Sequence, residues 1–259
     1  MERDVKNNPF FLLSLHSRGS GTSALTFYPP LVSMTSGDAA MTFPKTAGTA
    51  PVLKISAGKV ESRKIRLIAR ILRKGGIMAF PTDTFYGLGA DCLSSPALRR
   101  IYQIKKRQPL KPMPVLISDI NQVKLLAAEI PPVFDRLADA LWPGPLTLVL
   151  KAARGLPSIL TGHKQTIGIR LPAVSWLREL VRQTGSPVIA TSANISGEIE
   201  IDSAEDVVRQ FQRKVDLIVD GGRTPGGRPS TVVDVSLDEP VIVRAGAIPE
   251  AEINKILTS

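Results

Sequence analysis

The amino-acid sequence predicts an α/β protein, with a twisted, mixed sheet flanked by helices in one domain from about residue 51 to residue 259. Three observations predict it. Beyond Pro51, short apolar runs alternate with segments of helical period. Several of those runs, MPVLI and LTLVL among them, show no polar alternation, which is the pattern of strands buried on both faces. The composition, 43% hydrophobic and 22% charged over 259 residues, is that of a globular chain long enough to bury a core, and it excludes a wholly disordered or fibrous protein.

Residues 1–50 stand apart. They are rich in Ser, Thr, Gly and Pro, with no sustained period, and their one apolar run, 10–15, is too short and poorly flanked for a signal peptide. They read as a disordered extension or an over-extended start, with Met34 and Met41 as alternative first residues. The helix predicted over 61–74 places Ile65, Ile68, Ala69 and Leu72 on one face, and Gly75-Gly76 stops it. IMAF then forms a short buried strand that runs into the loop PTDTFYGLG. Ser95 caps the next helix, with Pro96 at its first position, and that helix ends in the basic KKR of residues 105–107. MPVLI, LTLVL, TIGIRL, PVIATS, DLIVD, STVVDV and VIVRA read as strands. Helices lie between them over 132–141, 174–183 and 203–212, the last opened by Ser203-x-x-Asp206, close to a capping box. A short helix over 249–257 is the final element.

Charge is the compositional anomaly. Lys and Arg number 33 against 23 Asp and Glu, a formal +10 at pH 7. Residues 1–51 hold Arg3, Lys6, Arg18 and Lys45 against Glu2, Asp4 and Asp38, which leaves 29 against 20, or +9, for the predicted domain. Such a balance points to a polyanionic ligand or partner, phosphates or nucleic acid, and bears on association rather than fold. The single cysteine, Cys92, excludes an intramolecular disulfide and a cysteine-based zinc cluster and reads as a small core residue. With His16 and His163 as the two histidines, a histidine-rich metal site is also excluded, and no metal ligands are assigned. No apolar run approaches the ~18 residues of a membrane span, so no membrane partner is expected.

Candidate chemistry collects where strands end, in the crevices that α/β sheets offer to ligands. Thr82, Asp83 and Thr84 follow IMAF, and their hydroxyls and carboxylate suit a small polar ligand and equally a rigid turn. Lys105, Lys106 and Arg107 end a helix, where cations meet the helix dipole favourably. They can also form a phosphate site, Arg forking onto two oxygens and Lys supplying a point charge. Thr191-Ser192-Ala193-Asn194 presents hydroxyls and an amide at a strand end, a composition that turn chemistry favours too. PGGRPST, before STVVDV, can cradle an anion with backbone N–H groups, although no GxxxxGK[ST] makes it a P-loop. Arg170 in GIRLP and Arg244 in VIVRAG sit inside apolar strands, where a charge is costly unless paired or facing a ligand. There is no GxSxG elbow and no histidine near Cys92 in the sequence. Cations, hydroxyls and amides without a covalent nucleophile suit a site that positions substrates and neutralises charge, as in phosphoryl or nucleotidyl transfer.

Eight segments in order, FPTDTFYGLG, IYQIKKR, LWPGPLTLVL, TIGIRLP, PVIATSANISGE, DLIVDGG, STVVDV and VIVRAGAI, resemble the YrdC-like family, the threonylcarbamoyl-AMP synthases. Each segment is weak alone, and the specificity lies in their order over nearly the whole predicted domain. The chain resembles the short form of the family, without an additional C-terminal domain. The resemblance implies a YrdC-like domain with a basic concave cleft. It also implies a cytoplasmic nucleotidyltransferase that makes L-threonylcarbamoyladenylate and pyrophosphate from L-threonine, bicarbonate and ATP. The product would pass to a threonylcarbamoyl-transferase complex that modifies the adenosine beside the anticodon of ANN-decoding tRNAs. Mg²⁺ would arrive with ATP, and no tightly bound organic cofactor is implied.

By the same resemblance, Lys105 and Arg107 contact the triphosphate and are the catalytic pair, while Thr82 and Arg170 bind threonine. Thr147, Ser192, Asn194, Ser230 and Arg244 would line the nucleotide and carbamate pocket. Two positions depart from the family pattern. Leu116 stands where many members have a histidine, so an imidazole contact to threonine is not carried over, and Lys111 becomes a further phosphate contact. Ala245 replaces a common proline. Within the same fold, the alternative is a non-catalytic module that binds double-stranded RNA or tRNA in ribosome or rRNA maturation. A carbamoyl-transfer relative, like the domain in hydrogenase maturation proteins, would belong to a larger chain with metal-binding and acylphosphatase-like modules.

Overall fold

The computed structural model describes residues 48–56, 60–108, 112–162 and 164–258. The expectations for residues 1–47, Lys111 and His163 fall outside the described residues.

Helix α1, Ser62–Arg73, forms as its spacing predicts, with Ile65, Ile68, Ala69 and Leu72 buried. That stripe packs on helix α6, Ser175–Thr184, whose own buried face carries Trp176, Leu177, Leu180 and Val181. Helix α2, Ser95–Lys105, begins one residue earlier than its proline suggests. The hydroxyl of Ser94, not Ser95, accepts from the amide of Ala97, so Ser94 is the cap and Pro96 sits in the second turn position, where its missing N–H is still harmless. Short helices α3, Val123–Leu126, and α5, Ser158–Thr161, carry too few residues to show a period. Helices α4, Pro132–Leu141, α7, Ala204–Phe211, and α8, Glu250–Thr258, lie where patterning places them, and α8 packs on α4. The hydroxyl of Ser203 caps α7 through the amide of Asp206.

The strands divide into two mixed sheets where the sequence suggests one. The first has the order β1-β9-β2-β3-β8, with β1 Val52–Lys54, β2 Met78–Pro81, β3 Tyr86–Gly89, β8 Thr191–Ser192 and β9 Leu217–Asp220. The second has the order β11-β10-β5-β6-β4-β7, with β4 Val115–Leu116, β5 Leu146–Lys151, β6 Thr166–Arg170, β7 Val188–Ile189, β10 Thr231–Asp234 and β11 Val241–Arg244. PVIATS reads as one strand but breaks at Ala190. Val188 and Ile189 pair with β4 of the second sheet, whereas Thr191 and Ser192 pair with β3 of the first. The chain therefore crosses between sheets immediately before Ser192.

Strand β3 reads as loop because half of it is glycine, a poor strand former. It forms because β2 offers an antiparallel partner, Met78 opposite Gly89 and Phe80 opposite Gly87. Glycine is required there for close approach: a Cβ on Gly89 would lie 2.7 Å from Cε1 of Phe80 and 2.8 Å from the carbonyl oxygen of Ile189. The apolar run VIVR does not bury as a continuous apolar strand should. It is the edge of the second sheet, and Val243 is 60% exposed. Among the described residues no helix is long and apolar enough to cross a membrane.

Candidate active site

The described sequence-predicted residues fall into three groups, one around the end of α2, one within the second sheet and one bridging the two sheets. The first surrounds the end of α2. Lys106 caps the helix in the left-handed region, φ 49°, which directs the amide of Arg107 to the carbonyl of Tyr102 at 2.9 Å. Lys105 is 1% exposed. Its ammonium donates to the backbone carbonyl of Asn194 at 2.8 Å, to Asn194 Oδ1 at 2.9 Å and to the carbonyl of Ser192. Ser192 Oγ donates to the same Asn194 Oδ1 at 2.8 Å, and Asn194 Nδ2 donates to the carbonyl of Glu198 at 2.6 Å. Arg107 lies half-buried and donates from its guanidinium to the carbonyl of Pro112 at 3.1 Å. Beside this group opens a cavity of about 390 Å³ lined by Lys105, Lys106, Arg107, Gln108, Ser192, Asn194, Ser196 and Gly197.

The second group joins three adjacent strands of the second sheet. Register sets Thr147 opposite Val232, and Val232 opposite Arg244. The hydroxyls of Thr147 and Ser230 are 3.1 Å apart, and Arg244 donates to Ser230 Oγ at 3.0 Å and to its carbonyl at 2.7 Å. Gly246 permits this turn: a Cβ there would meet the Pro229 carbonyl oxygen and the Thr231 nitrogen, each at 2.4 Å.

The third group bridges the sheets. Arg170, at the end of β6 and 7% exposed, donates from Nε to the Gly144 carbonyl at 3.0 Å and from its guanidinium to Asp83 Oδ1. Asp83 lies in the turn between β2 and β3, and its Oδ2 is buried without a hydrogen-bond partner. Thr82 belongs to the same turn, with its hydroxyl donating to the carbonyl of Phe85 at 2.7 Å and accepting from the amide of Thr84 at 3.1 Å. Leu116, the residue in the histidine's place, is 2% exposed and stands opposite Arg170 in the β4–β6 register.

Electrostatics tie the groups together. Burial pushes the pKa of Lys105 down to about 7, and the charge of Arg107 adds to that fall. Burial likewise lowers the pKa values of Arg107, Arg170 and Arg244. The charges of Arg170 and Arg107 lower Arg244 further, whereas Glu200 supports both Arg244 and Lys105. Cations that are desolvated and repel one another favour an arriving anion, which would relieve both costs. Sequence reasoning missed Glu200 as a member of this field and Asp83 as the partner of Arg170. No local signal links either to a cation so distant in the chain. Cys92 is fully buried, and burial raises its thiol pKa well above the ordinary value, so it offers no thiolate.

A family model covering Sua5, YciO and YrdC, described as telomere recombination, matches residues 70–246. The chain is 41% identical over 199 residues to the threonylcarbamoyl-AMP synthase of Pyrococcus abyssi, covering 77% of this chain and 58% of that protein. It is 36% identical over 195 residues to the threonylcarbamoyl-AMP synthase of Bacillus subtilis, covering 75% of this chain and 56% of that one. The chain thus spans little more than half the length of these two relatives. A crystal structure of P. abyssi Sua5 complexed with L-threonine superposes with a TM-score of 0.77 at 39% identity, over 80% of this chain and 61% of the other.

Proposed function

The chain belongs to the family of Sua5, YciO and YrdC, and from that premise we propose that it is an L-threonylcarbamoyladenylate synthase, a nucleotidyltransferase acting on L-threonine, bicarbonate and ATP. The observation that supports this reading best is the gathering of Lys105, Arg107, Arg170 and Arg244 in one electrostatic field along the seam. General affinity for RNA would not require buried cations such as Lys105 and Arg170, held beside hydroxyls and an amide.

In this reading the amine of threonine adds to bicarbonate, giving a carbamate and water. A carbamate oxygen then attacks the α-phosphorus of ATP, and the bond to the β,γ-phosphates breaks to release pyrophosphate. The substrate supplies the nucleophile, so the enzyme orients two anions and stabilises the charge that develops on pyrophosphate. Arg170, oriented by Asp83 and Gly144, takes the threonine carboxylate, with Thr82 beside it. Lys105 and Arg107 take the triphosphate, joined by Lys111. Thr147, Ser230 and Arg244 line the nucleotide and carbamate pocket, together with Ser192 and Asn194. ATP enters as its Mg²⁺ complex, the ion held mainly by phosphate oxygens. The product passes in the cytoplasm to a threonylcarbamoyl-transferase complex acting on ANN-decoding tRNAs.

The test is pyrophosphate release from ATP by the purified chain. Release should require threonine and bicarbonate together; release that proceeds without either one would overturn the reading.

A further inference from the structure

We propose that the outer face of helix α1 is a docking surface for the phosphate backbone of a structured RNA. The choice of RNA rests on the synthase reading, whose product goes to tRNA; the surface itself is argued from charge. Residues 62–74 carry Arg63, Lys64, Arg66, Arg70, Arg73 and Lys74, and no acid. At 3.6 residues per turn, all of these but Lys64 fall within an arc of about 100°. Four of the five in that arc are exposed and Arg70 is half-buried. The arc faces away from the stripe of Ile65, Ile68, Ala69 and Leu72 that packs on α6. None of its cations lines the cavity beside the end of α2.

This placement works against the helix. Arg66, Arg70 and Lys74 form a ladder of like charges at i, i+4 and i+8, spaced by about 6 Å of rise, and such pairs repel. Arg70 and Arg73 suit the C-terminal end of the dipole, but Arg63 and Lys64 oppose it in the first turn, which holds no acid. Glu61, before the helix, pairs with Lys64 at 2.8 Å, off the arc. Arg73 donates to the carbonyl of Gln183 at 3.0 Å, which gives it a structural role as well. A phosphate backbone would relieve the repulsion along the ladder, each guanidinium forking onto two oxygens. An anionic membrane fits less well, because a helix lying on lipid inserts its apolar face, and that of α1 is buried on α6. Past the helix the basic surface continues. The amide of Ile77 donates to Asp216 Oδ2 at 2.8 Å, and Arg100 of α2 donates to the same oxygen at 3.0 Å. The exit of α1, helix α2 and the segment before β9 meet there, and Arg99 and Arg213 stand exposed beside the junction in the chain.

The experiment measures binding of a fluorescently labelled tRNA transcript by anisotropy over a range of salt concentrations, for the full chain and for Arg66→Gln/Arg70→Gln/Lys74→Gln. Glutamine keeps the helix propensity and removes the repulsion, so the variant should melt no lower than the wild type. At about 100 mM salt the variant should bind at least about tenfold more weakly. Its slope of log affinity against log salt should be shallower by about two to three, as expected for the loss of three phosphate contacts. Pyrophosphate release from ATP should stay within about twofold of wild type. Lys124→Gln/Arg154→Gln/Lys164→Gln removes the same charge from exposed positions outside α1 and should weaken binding by less than about threefold. An equal loss in that control, or no binding by the wild-type chain, would overturn the proposal. A loss that comes with a lower melting temperature would make the ladder a structural feature and overturn it too. Binding to phosphatidylserine vesicles through the ladder without binding to tRNA, or tighter binding to a DNA duplex of equal phosphate count, would overturn the assignment to RNA. A wild-type chain that releases no pyrophosphate yet binds tRNA through the ladder would fail the synthase reading and bear this inference out.

Discussion

At the scale of residues, Lys105, Arg107 and Arg170 share one condition: burial lowers their pKa values, whereas Arg244 stands exposed on the edge strand. For Lys105 this has a consequence with a definite sign. With the pKa lowered to about 7 by burial and Arg107, and supported by Glu200, the ammonium is present below that pH and gives way to a neutral amine above it. The amine has two donors for three carbonyl-type acceptors. Adenosine, which has no phosphate titrating in this range, should therefore bind several-fold more weakly at pH ~8.5 than at pH ~6. Calorimetric titration across that interval checks it, and a flat profile would contradict it. Arg170 makes a second case. Arg170→Gln should raise the KM for threonine at least about tenfold with a smaller effect on ATP, and Asp83→Asn should move it the same way by less, since its remaining oxygen still accepts from the guanidinium. Steady-state kinetics with each substrate varied separately decides this. In the sequence, Arg170 and Arg244 announce themselves as charges inside apolar strands. Their partners do not: Asp83 looks like part of a turn, and Glu200 is one acid among the polar residues after SANISG.

At the scale of elements, the helices were the most legible because their signal is local. The stripe of α1 and the caps of α2 and α7 are written within a few residues, and the structure moves the α2 cap by only one position. Strands were less legible where another strand, not the run itself, decides them. Strand β3 exists because β2 accepts its glycines, and the exposure of β11 follows from its place at the sheet edge. The close approach of Gly246 to the chain at Pro229–Thr231 carries a prediction of this kind. Gly246→Ala has no room beside the Pro229 carbonyl and the Thr231 nitrogen, both backbone atoms that cannot swing aside. It should destabilise the fold by about 2 kcal/mol or more, and it should raise the KM for ATP by displacing Ser230 and Arg244. Urea unfolding gives the first quantity and initial rates the second; unchanged values in both would show that the turn relaxes.

At the scale of the whole molecule, the order of eight motifs was readable but their meeting place was not. PVIATSANISGE is one motif in the sequence, yet its Val188–Ile189 pairs in one sheet and its Thr191–Ser192 in the other. That crossing at Ala190 brings the Ser192–Asn194 turn to the end of α2, and the Asp83–Arg170 pair spans the same seam. Part of the excess charge of +10 lies in the cations of the candidate site. The remaining surface charge is available to a polyanion such as tRNA. The central claim is that this seam joins threonine, bicarbonate and ATP. Its most direct test is to incubate the chain with ¹³C-bicarbonate, threonine and MgATP and identify the adenylate by mass spectrometry. The account predicts threonylcarbamoyl-AMP carrying the label, absent when threonine is omitted. AMP or ADP formed with no labelled adenylate would contradict it.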